Sequence, residues 1–289
     1  MRYLYDYGLP FSERIGVNLD DCISRVKSRK ASLLIVDGMI GEGKTTMAVH
    51  LADYINKKAG FPPIDFQEQV ALGGESFAEK LRICYNKKLP ALIYDESGDF
   101  HRRGALTRFN QNLNRTFEMF RAFRVIVILC LPLFAVLDQE IFNKGIPQIL
   151  IHLKNRNENQ GDISGYSLYR MFYLRAKMDK LIVKPFAYQL VEPNLYGQFL
   201  NLPPERAELL DKYSTEGKLD FLKSSEVSLQ GLISLKGISR KMGRSPEYVR
   251  KLMLKAKIKP VKKISNANYY TEDQGNMILE FKTYTAQKR

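Results

Sequence analysis

Residues Leu33 to Thr46 read Leu-Leu-Ile-Val-Asp-Gly-Met-Ile-Gly-Glu-Gly-Lys-Thr-Thr, and no other stretch restricts the chain as much. Leu33 to Val36 form an apolar run of the kind that makes a buried parallel strand. Gly38, four intervening residues, then Gly43-Lys44-Thr45 match the phosphate-loop pattern of glycine, any four residues, Gly-Lys and Ser/Thr. Glycines let the backbone wrap closely around phosphate groups with its amides pointing inward. The positive end of the following helix faces the same anion. Lys44 is placed to reach β- and γ-phosphates, and the Thr45 hydroxyl to hold Mg²⁺. The candidate nucleotide-binding residues are therefore Gly38, Gly41, Gly43, Lys44, Thr45 and Thr46. A strand before the motif and helix-like spacing after it (Met47, Leu51, Tyr54, Ile55, ended by Gly60) supply the context that the motif requires.

A second motif completes the chemistry. The run Leu89-Pro-Ala-Leu-Ile-Tyr-Asp95-Glu96 is an apolar strand ending in two acids, about fifty residues after the first motif. Asp95 is placed to hold Mg²⁺ through water, with Thr45 as the other metal-side residue. Glu96 is placed to polarise an attacking water. Lys44, Asp95 and Glu96 are the candidate catalytic residues, and ATP with Mg²⁺ the expected ligands. The adjacent glutamate argues against a small-molecule kinase, in which a hydrolytic base would waste ATP.

Further along, Thr107 to Arg124 has helical spacing of Phe109, Leu113, Phe117 and Phe120, with Asn and Arg on the opposite face. Val125 to Leu131 and Ile149 to Leu153 read as further buried strands. Strands near 33, 69, 91, 125 and 149 alternating with helices predict an α/β sheet, with both motifs at its carboxyl edge. Asn18 or Asp20 is expected to cap a helix over Asp21 to Lys30, and Ser76-Phe-Ala-Glu79 to open another. Gln160-Gly-Asp suits a turn between strands at Ile149–Lys154 and Tyr166–Leu174. Residues 175–200 give no clear assignment. A short helix is expected from Pro203-Pro204-Glu205 through Tyr213.

The chain carries 45 Lys and Arg against 31 Asp and Glu, a net charge of +14 that favours an anionic partner. Most of the surplus is local: Gly231 to Lys263 holds eleven basic residues and one acid, Glu247. Beneath that charge lie apolar Ile238, Met242, Val249 and Leu252, a small Ser239, and Gly243 at a turn. Ser245 caps a second helix with Pro246 in its first position. This is a helix-turn-helix pattern, followed by a basic hairpin around Ser265-Asn-Ala-Asn268 that reads as a wing. Arg244, Ser245, Tyr248, Arg250, Lys251, Lys255, Lys262 and Lys263 are the candidate residues for duplex DNA. The alternative is a basic helical hairpin that packs on the preceding domain or binds an acidic protein. The organisation expected is a domain over 1–213, a linker over 214–228 and a DNA-binding domain over 229–289.

The three cysteines and three histidines show no metal-ligand spacing, and buried thiols in a reducing compartment are the default. The longest apolar run, Val125 to Leu137, is thirteen residues and contains Pro132. That is too short to span a bilayer. A cytoplasmic protein without a membrane segment is expected, in a host cytoplasm if the source is viral.

Together the two motifs resemble ATP-hydrolysing P-loop proteins (the RecA-like, ASCE class) with a catalytic glutamate after the Walker B aspartate. Within that class, the run Tyr-Asp95-Glu96-Ser-Gly-Asp-Phe, the helix ending Phe-Arg-Ala-Phe-Arg124 and the strand closing on Pro132 resemble the zonula occludens toxin-like branch. That branch belongs with the FtsK/HerA-type DNA-pumping ATPases and is met in viruses and mobile elements. The resemblance covers roughly residues 30–155. It implies a mostly parallel sheet flanked by helices, a homo-oligomeric ring such as a hexamer, and an arginine supplied by a neighbouring subunit. Arg115, Arg121 and Arg124 are candidates for that arginine, and each is equally readable as a plain surface or core-flanking residue. Where those pumps often carry a polar sensor, this chain has Cys130-Leu131-Pro132, and no sensor is assigned. The resemblance implies a DNA motor or remodeller. Two alternatives are a plasmid or viral replication initiator or helicase loader that uses ATP as an assembly switch, and an ATP-gated transcription regulator.

Overall fold

The apolar runs become the strands of one sheet because each is buried on both faces. A computed structural model describes residues 10–30, 32–95, 122–157, 160–227, 232–264 and 267–278. Glu96, Arg115, Arg121 and the expected helix before residue 122 lie outside the described residues. Strands β1 (Ser32–Asp37), β2 (Val70–Leu72), β3 (Ala91–Asp95), β4 (Ile126–Leu131), β5 (Pro147–Lys154), β6 (Gln160–Ser167) and β7 (Leu195–Leu200) form a seven-stranded sheet in the order β2-β3-β4-β1-β5-β6-β7. From β2 to β5 all neighbours are parallel, while β6 and β7 extend the sheet in antiparallel fashion. The molecule is an α/β protein with a mostly parallel sheet flanked by helices.

Alternation along the strands divides the core in two. Leu34 and Val36 face helices α1 (Glu13–Lys27) and α2 (Lys44–Lys58), together with Ile128 and Ile151. Leu33 and Ile35 face the opposite layer, where α3 (Gly74–Lys87) contributes Phe77, Leu81 and Cys84, and α4 (Leu168–Met178) contributes Met171, Leu174 and Met178. With both faces covered, the central parallel strands take apolar residues at nearly every position, which is why they read as continuous runs.

Four local expectations change. Helix α1 starts at Glu13, before the position expected, because Ile15 and Leu19 already belong to its buried stripe. Asn18 caps nothing and bonds back to the Arg14 carbonyl at 2.8 Å. Asp20 is engaged by the Tyr54 hydroxyl at 2.9 Å and Lys58 at 3.1 Å. Helix α3 opens at Gly74, so Ser76 lies inside its first turn and donates to the Leu72 and Gly73 carbonyls. The hairpin after β5 is present with another register: Lys154 pairs with Asp162, Gln160-Gly-Asp lies within β6, and Leu168 onward is helix. Glycines of β6 make room for neighbours on β7, since a Cβ at Gly161 would collide with the Phe199 ring and one at Gly165 would sit 2.7 Å from Leu195. The helix expected to end at Tyr213 is α5 (Pro204–Val227), which runs through the segment read as a linker. Nothing in its Lys-, Glu- and Ser-rich sequence after Pro204 blocks a helix, Gly217 being the one weak former. Its first half is anchored by Arg206 on Asp53 (2.9 Å) and by the Tyr213 hydroxyl on the Val70 carbonyl (2.6 Å).

Residues before α1 also have a place. The Leu200 amide donates to the Pro10 carbonyl (3.0 Å), and the Ser12 hydroxyl to the Tyr196 carbonyl (2.9 Å), so this segment lines β7. It thereby covers part of an otherwise open sheet edge.

The chain divides into two compact units, Met1–Thr215 and Glu216–Arg289. The second has its own core of Ile238, Met242, Val249, Leu252, Met253, Tyr270 and Ile278. Within it, α6 (Leu235–Met242) and α7 (Pro246–Lys255) meet at Gly243 and pack against a three-stranded antiparallel sheet of β8 (Leu232–Ser234), β10 (Ala267–Thr271) and β9 (Lys262–Ile264). The helix that follows β10 is opened by a reciprocal pair: Thr271 Oγ1 accepts the Gln274 amide at 3.2 Å, and Gln274 Oε1 accepts the Thr271 amide at 3.1 Å.

Cys22, Cys84 and Cys130 are buried free thiols. Burial pushes the Cys22 thiol up to about 11 and the Cys84 thiol up to about 12, so neither forms appreciable thiolate near neutral pH. Iodoacetamide at pH 8 is expected to label these thiols only once denaturant unfolds the sheet domain. Labelling of the native protein at the rate of an exposed cysteine, read by mass spectrometry, contradicts this packing.

Candidate functional site

Parallel pairing sets the carboxyl ends of β1, β4 and β3 side by side. Val36 and Asp95 both pair with Cys130, the former across β1 and β4 and the latter across β3 and β4. The loop from Gly38 to Gly43 leaves β1 at this edge and leads into the amino end of α2. Gly43 caps α2 with φ +84°, a left-handed conformation that a side chain would strain. At Gly38 the reason for glycine is space, since a Cβ there would lie 2.9 Å from the Leu153 carbonyl oxygen.

Across this loop the side chains converge. Lys44 Nζ donates to the carbonyls of Gly38 (2.9 Å) and Met39 (2.8 Å), spanning the loop from its end to its start. The Thr45 hydroxyl donates to Asp95 Oδ2 at 2.7 Å, and Asp95 is almost fully buried. A hydroxyl and a carboxylate side by side are hard oxygen donors of the kind that magnesium takes. Thr46 is buried one residue further along α2. Gly38, Gly41, Gly43, Lys44, Thr45, Thr46 and Asp95 are thus brought together, fifty residues apart in sequence for Thr45 and Asp95. Cys130 holds the place between the two strands, with its Sγ 3.7 Å from the Lys44 carbonyl oxygen.

Arg124 is the one described member of the arginine trio. It precedes β4 at that strand's amino end and is exposed. Six strand residues at about 3.3 Å each put it roughly 20 Å from the carboxyl edge. It is therefore remote from this chain's own Thr45–Asp95 pair.

Two groups of residues at the same edge were not singled out from sequence. Asp37 ends β1 and is fully buried. Its carboxylate accepts the Phe134 amide at 2.8 Å, His152 Nδ1 at 2.9 Å and the Tyr188 hydroxyl. The His152 and Tyr188 rings stack at 3.7 Å. Burial, reinforced by the Asp37 charge, holds the Tyr188 hydroxyl well above the usual tyrosine range, so it serves as a donor. This network fixes the residue from which the loop departs. The only signal for it in the sequence is an acid closing an apolar strand.

The second group lies across the loop from Asp95. Arg156, just after β5, donates its backbone amide to Glu42 Oε2 (3.1 Å) and Nη2 to Asn201 Oδ1 (2.9 Å). Its Nη1 approaches the Gly41 carbonyl at 3.5 Å.

In the second unit, the Ser245 hydroxyl accepts the Tyr248 amide at 3.2 Å and starts α7. Val249, Leu252 and Met253 face inward, while Arg244, Ser245, Tyr248, Arg250, Lys251 and Lys255 are exposed. The Arg244 guanidinium lies 5.7 Å from the centre of the Tyr248 ring. Lys262 and Lys263 are carried by β9. The exposed surface of α7 therefore carries Arg250, Lys251 and Lys255 with the Tyr248 ring, beside one acid, Glu247, and an exposed Leu254. No helix among the described residues is long and apolar enough to cross a membrane. No protein-family model matches the chain, and a search of curated proteins finds no match.

Asp37→Ala removes the acceptor from three donors at once. It is expected to destabilise the protein by about 3 kcal/mol, measured by urea unfolding. A loss below about 1 kcal/mol means that the network does not hold the loop's point of departure.

Proposed function

We propose that this chain is an ATP-hydrolysing, DNA-binding protein of the motor or remodeller type, acting on duplex DNA as an oligomeric ring. One observation carries the reading: the Thr45 hydroxyl on the Asp95 carboxylate at 2.7 Å, which unites the two sequence motifs in one place. On this reading the Gly38–Gly43 loop is a phosphate loop whose amides, with the amino end of α2, bind the triphosphate. Lys44 turns from the Gly38 and Met39 carbonyls toward the β- and γ-phosphates. Thr45 and Asp95 fit Mg²⁺, which when bound neutralises charge on the phosphate oxygens. Glu96, adjacent to Asp95, orients and deprotonates the attacking water. Hydrolysis at such a site is mostly a matter of positioning, which suits residues held by strand ends.

The second unit is read as a winged helix-turn-helix, supported by the turn at Gly243, the Ser245 cap and the exposed basic side chains of α7. Arg244, Tyr248, Arg250, Lys251 and Lys255 meet phosphates and base edges in the major groove, and the β9–β10 hairpin with Lys262 and Lys263 is the wing. The sequence resemblance to DNA-pumping ATPases supports the ring, in which a neighbour supplies Arg115, Arg121 or Arg124 in trans. Arg124 is far from its own chain's pair, so if it acts at such a site it does so in another chain. The cytoplasm is the proposed compartment.

Lys44→Ala is expected to abolish ATP binding. Glu96→Gln is expected to keep it and to lose turnover by about 100-fold or more, measured by phosphate release. Duplex DNA should stimulate the wild-type rate, and native mass should rise with a non-hydrolysable nucleotide. Hydrolysis that ignores DNA in a protein that stays monomeric removes the motor reading. Slow hydrolysis with binding confined to one sequence favours an initiator instead.

Replacing Arg250 and Lys251 with alanine should weaken DNA binding across all sequences. The slope of log K against log salt should become shallower by about 1.8, as expected for two lost phosphate contacts. An unchanged slope and affinity assign α7 to packing or to a protein partner.

A further inference from the structure

We propose that Arg156, supplied by the same chain, with Asn201 beside it, binds the nucleoside side of the nucleotide: the α-phosphate and the base, not the γ-phosphate. The inference rests on the reading of the Gly38–Thr45 loop as a nucleotide site. It follows from the strand order. Thr45 is tied to Asp95 on β3, which lies on one side of β1. Strands β5, β6 and β7 lie on the other side. Strand β7 runs in the same direction as β5, because each is antiparallel to β6. Residues just past β5 and just past β7 therefore emerge at the same carboxyl edge as the loop. Those residues include Arg156 and Asn201.

The metal end of a triphosphate is set by Thr45 and Asp95, so the rest of the nucleotide extends toward the β5–β7 side. There the guanidinium lies directly over the amino end of α2: a Cβ on Gly43 would be 3.0 Å from Arg156 Nη1 and 3.0 Å from the Phe199 ring. Three contacts hold Arg156, two of them at the guanidinium. Glu42 receives its backbone amide at 3.1 Å, Asn201 receives Nη2 at 2.9 Å, and the Gly41 carbonyl lies 3.5 Å from Nη1. A planar, permanently charged group held in this way suits an anion and the face of a base. Lysine has the charge without the plane or the fork.

The test compares two ligands by calorimetry with the full chain: Mg-ATP, and Mg-tripolyphosphate, which has the three phosphates but no nucleoside. Arg156→Ala is expected to weaken Mg-ATP about tenfold and Mg-tripolyphosphate, which keeps an α-equivalent phosphate but lacks the base, by no more than about threefold. Arg156→Lys should recover part of the Mg-ATP affinity. Asn201→Ala, which frees the guanidinium without removing it, should weaken Mg-ATP less than Arg156→Ala. An Arg156→Ala protein that binds Mg-ATP like the wild type overturns the inference, as does one that loses both ligands equally. Unfolding midpoints close to that of the wild type exclude a folding defect as the cause. If the wild type binds Mg-ATP no better than Lys44→Ala does, the nucleotide reading itself falls, an outcome separate from the contrast between the two ligands.

Discussion

The hydrogen bond from Thr45 to Asp95 depends on most of the first unit. Thr45 is in the first turn of α2 and Asp95 closes β3, and β4 lies between their strands. The two can meet only if β1, β4 and β3 run parallel and end level, as the pairing of Val36 and Asp95 with Cys130 shows. A register shift of one residue would turn the Asp95 side chain to the opposite face. Burial enforces the register: Leu34 and Val36 must reach the α1–α2 layer while Leu33 and Ile35 reach the α3–α4 layer. The site is thus specified by core packing, and its geometry follows from hydrophobic alternation more than from any contact within the site.

A fully buried carboxylate at Asp37 is the counterpart of this order. An unpaired charge there would cost several kcal/mol, and three donors from three separate segments offset that cost. Phe134 follows β4, His152 is on β5, and Tyr188 comes from the segment after α4. None of these is a neighbour in sequence. They converge because β4 and β5 flank β1, which sets their carboxyl ends around the last residue of β1. The loop therefore leaves from a fixed point.

How much could be read in advance divides along physical lines. The strands at 32–37, 91–95, 126–131 and 147–154 were legible, because strands covered on both faces leave few polar positions to interrupt an apolar run. So were α6, the turn at Gly243 and α7, where capping chemistry is local to a few residues. The register of the β5–β6 hairpin was not, since its glycines answer to Phe199 and Leu195, thirty or more residues away on β7. The extent of α5 was hidden by a composition equally at home in linkers and in solvated helices. Among the candidate site residues, the motif glycines, Lys44, Thr45 and Asp95 could be named from spacing alone. Arg156, Asn201, His152 and Tyr188 could not, because only the strand order brings them to the same edge.

The second unit separates stability from charge in a comparable way. Among the described residues seven buried side chains form its core, and the basic side chains of α7 contribute nothing to it. Concentrating eleven basic residues and one acid between Gly231 and Lys263 carries a cost in mutual repulsion, which a small core must absorb. The caps at Ser245 and Thr271 and the helix-ending turn at Gly243 offset part of it with local hydrogen bonds that do not depend on the charges. An anionic partner would remove the repulsion on binding, so the same residues that weaken the free unit would strengthen the complex. That asymmetry is a physical reason to look for the partner of α7 among polyanions, and it makes salt the natural variable for finding it.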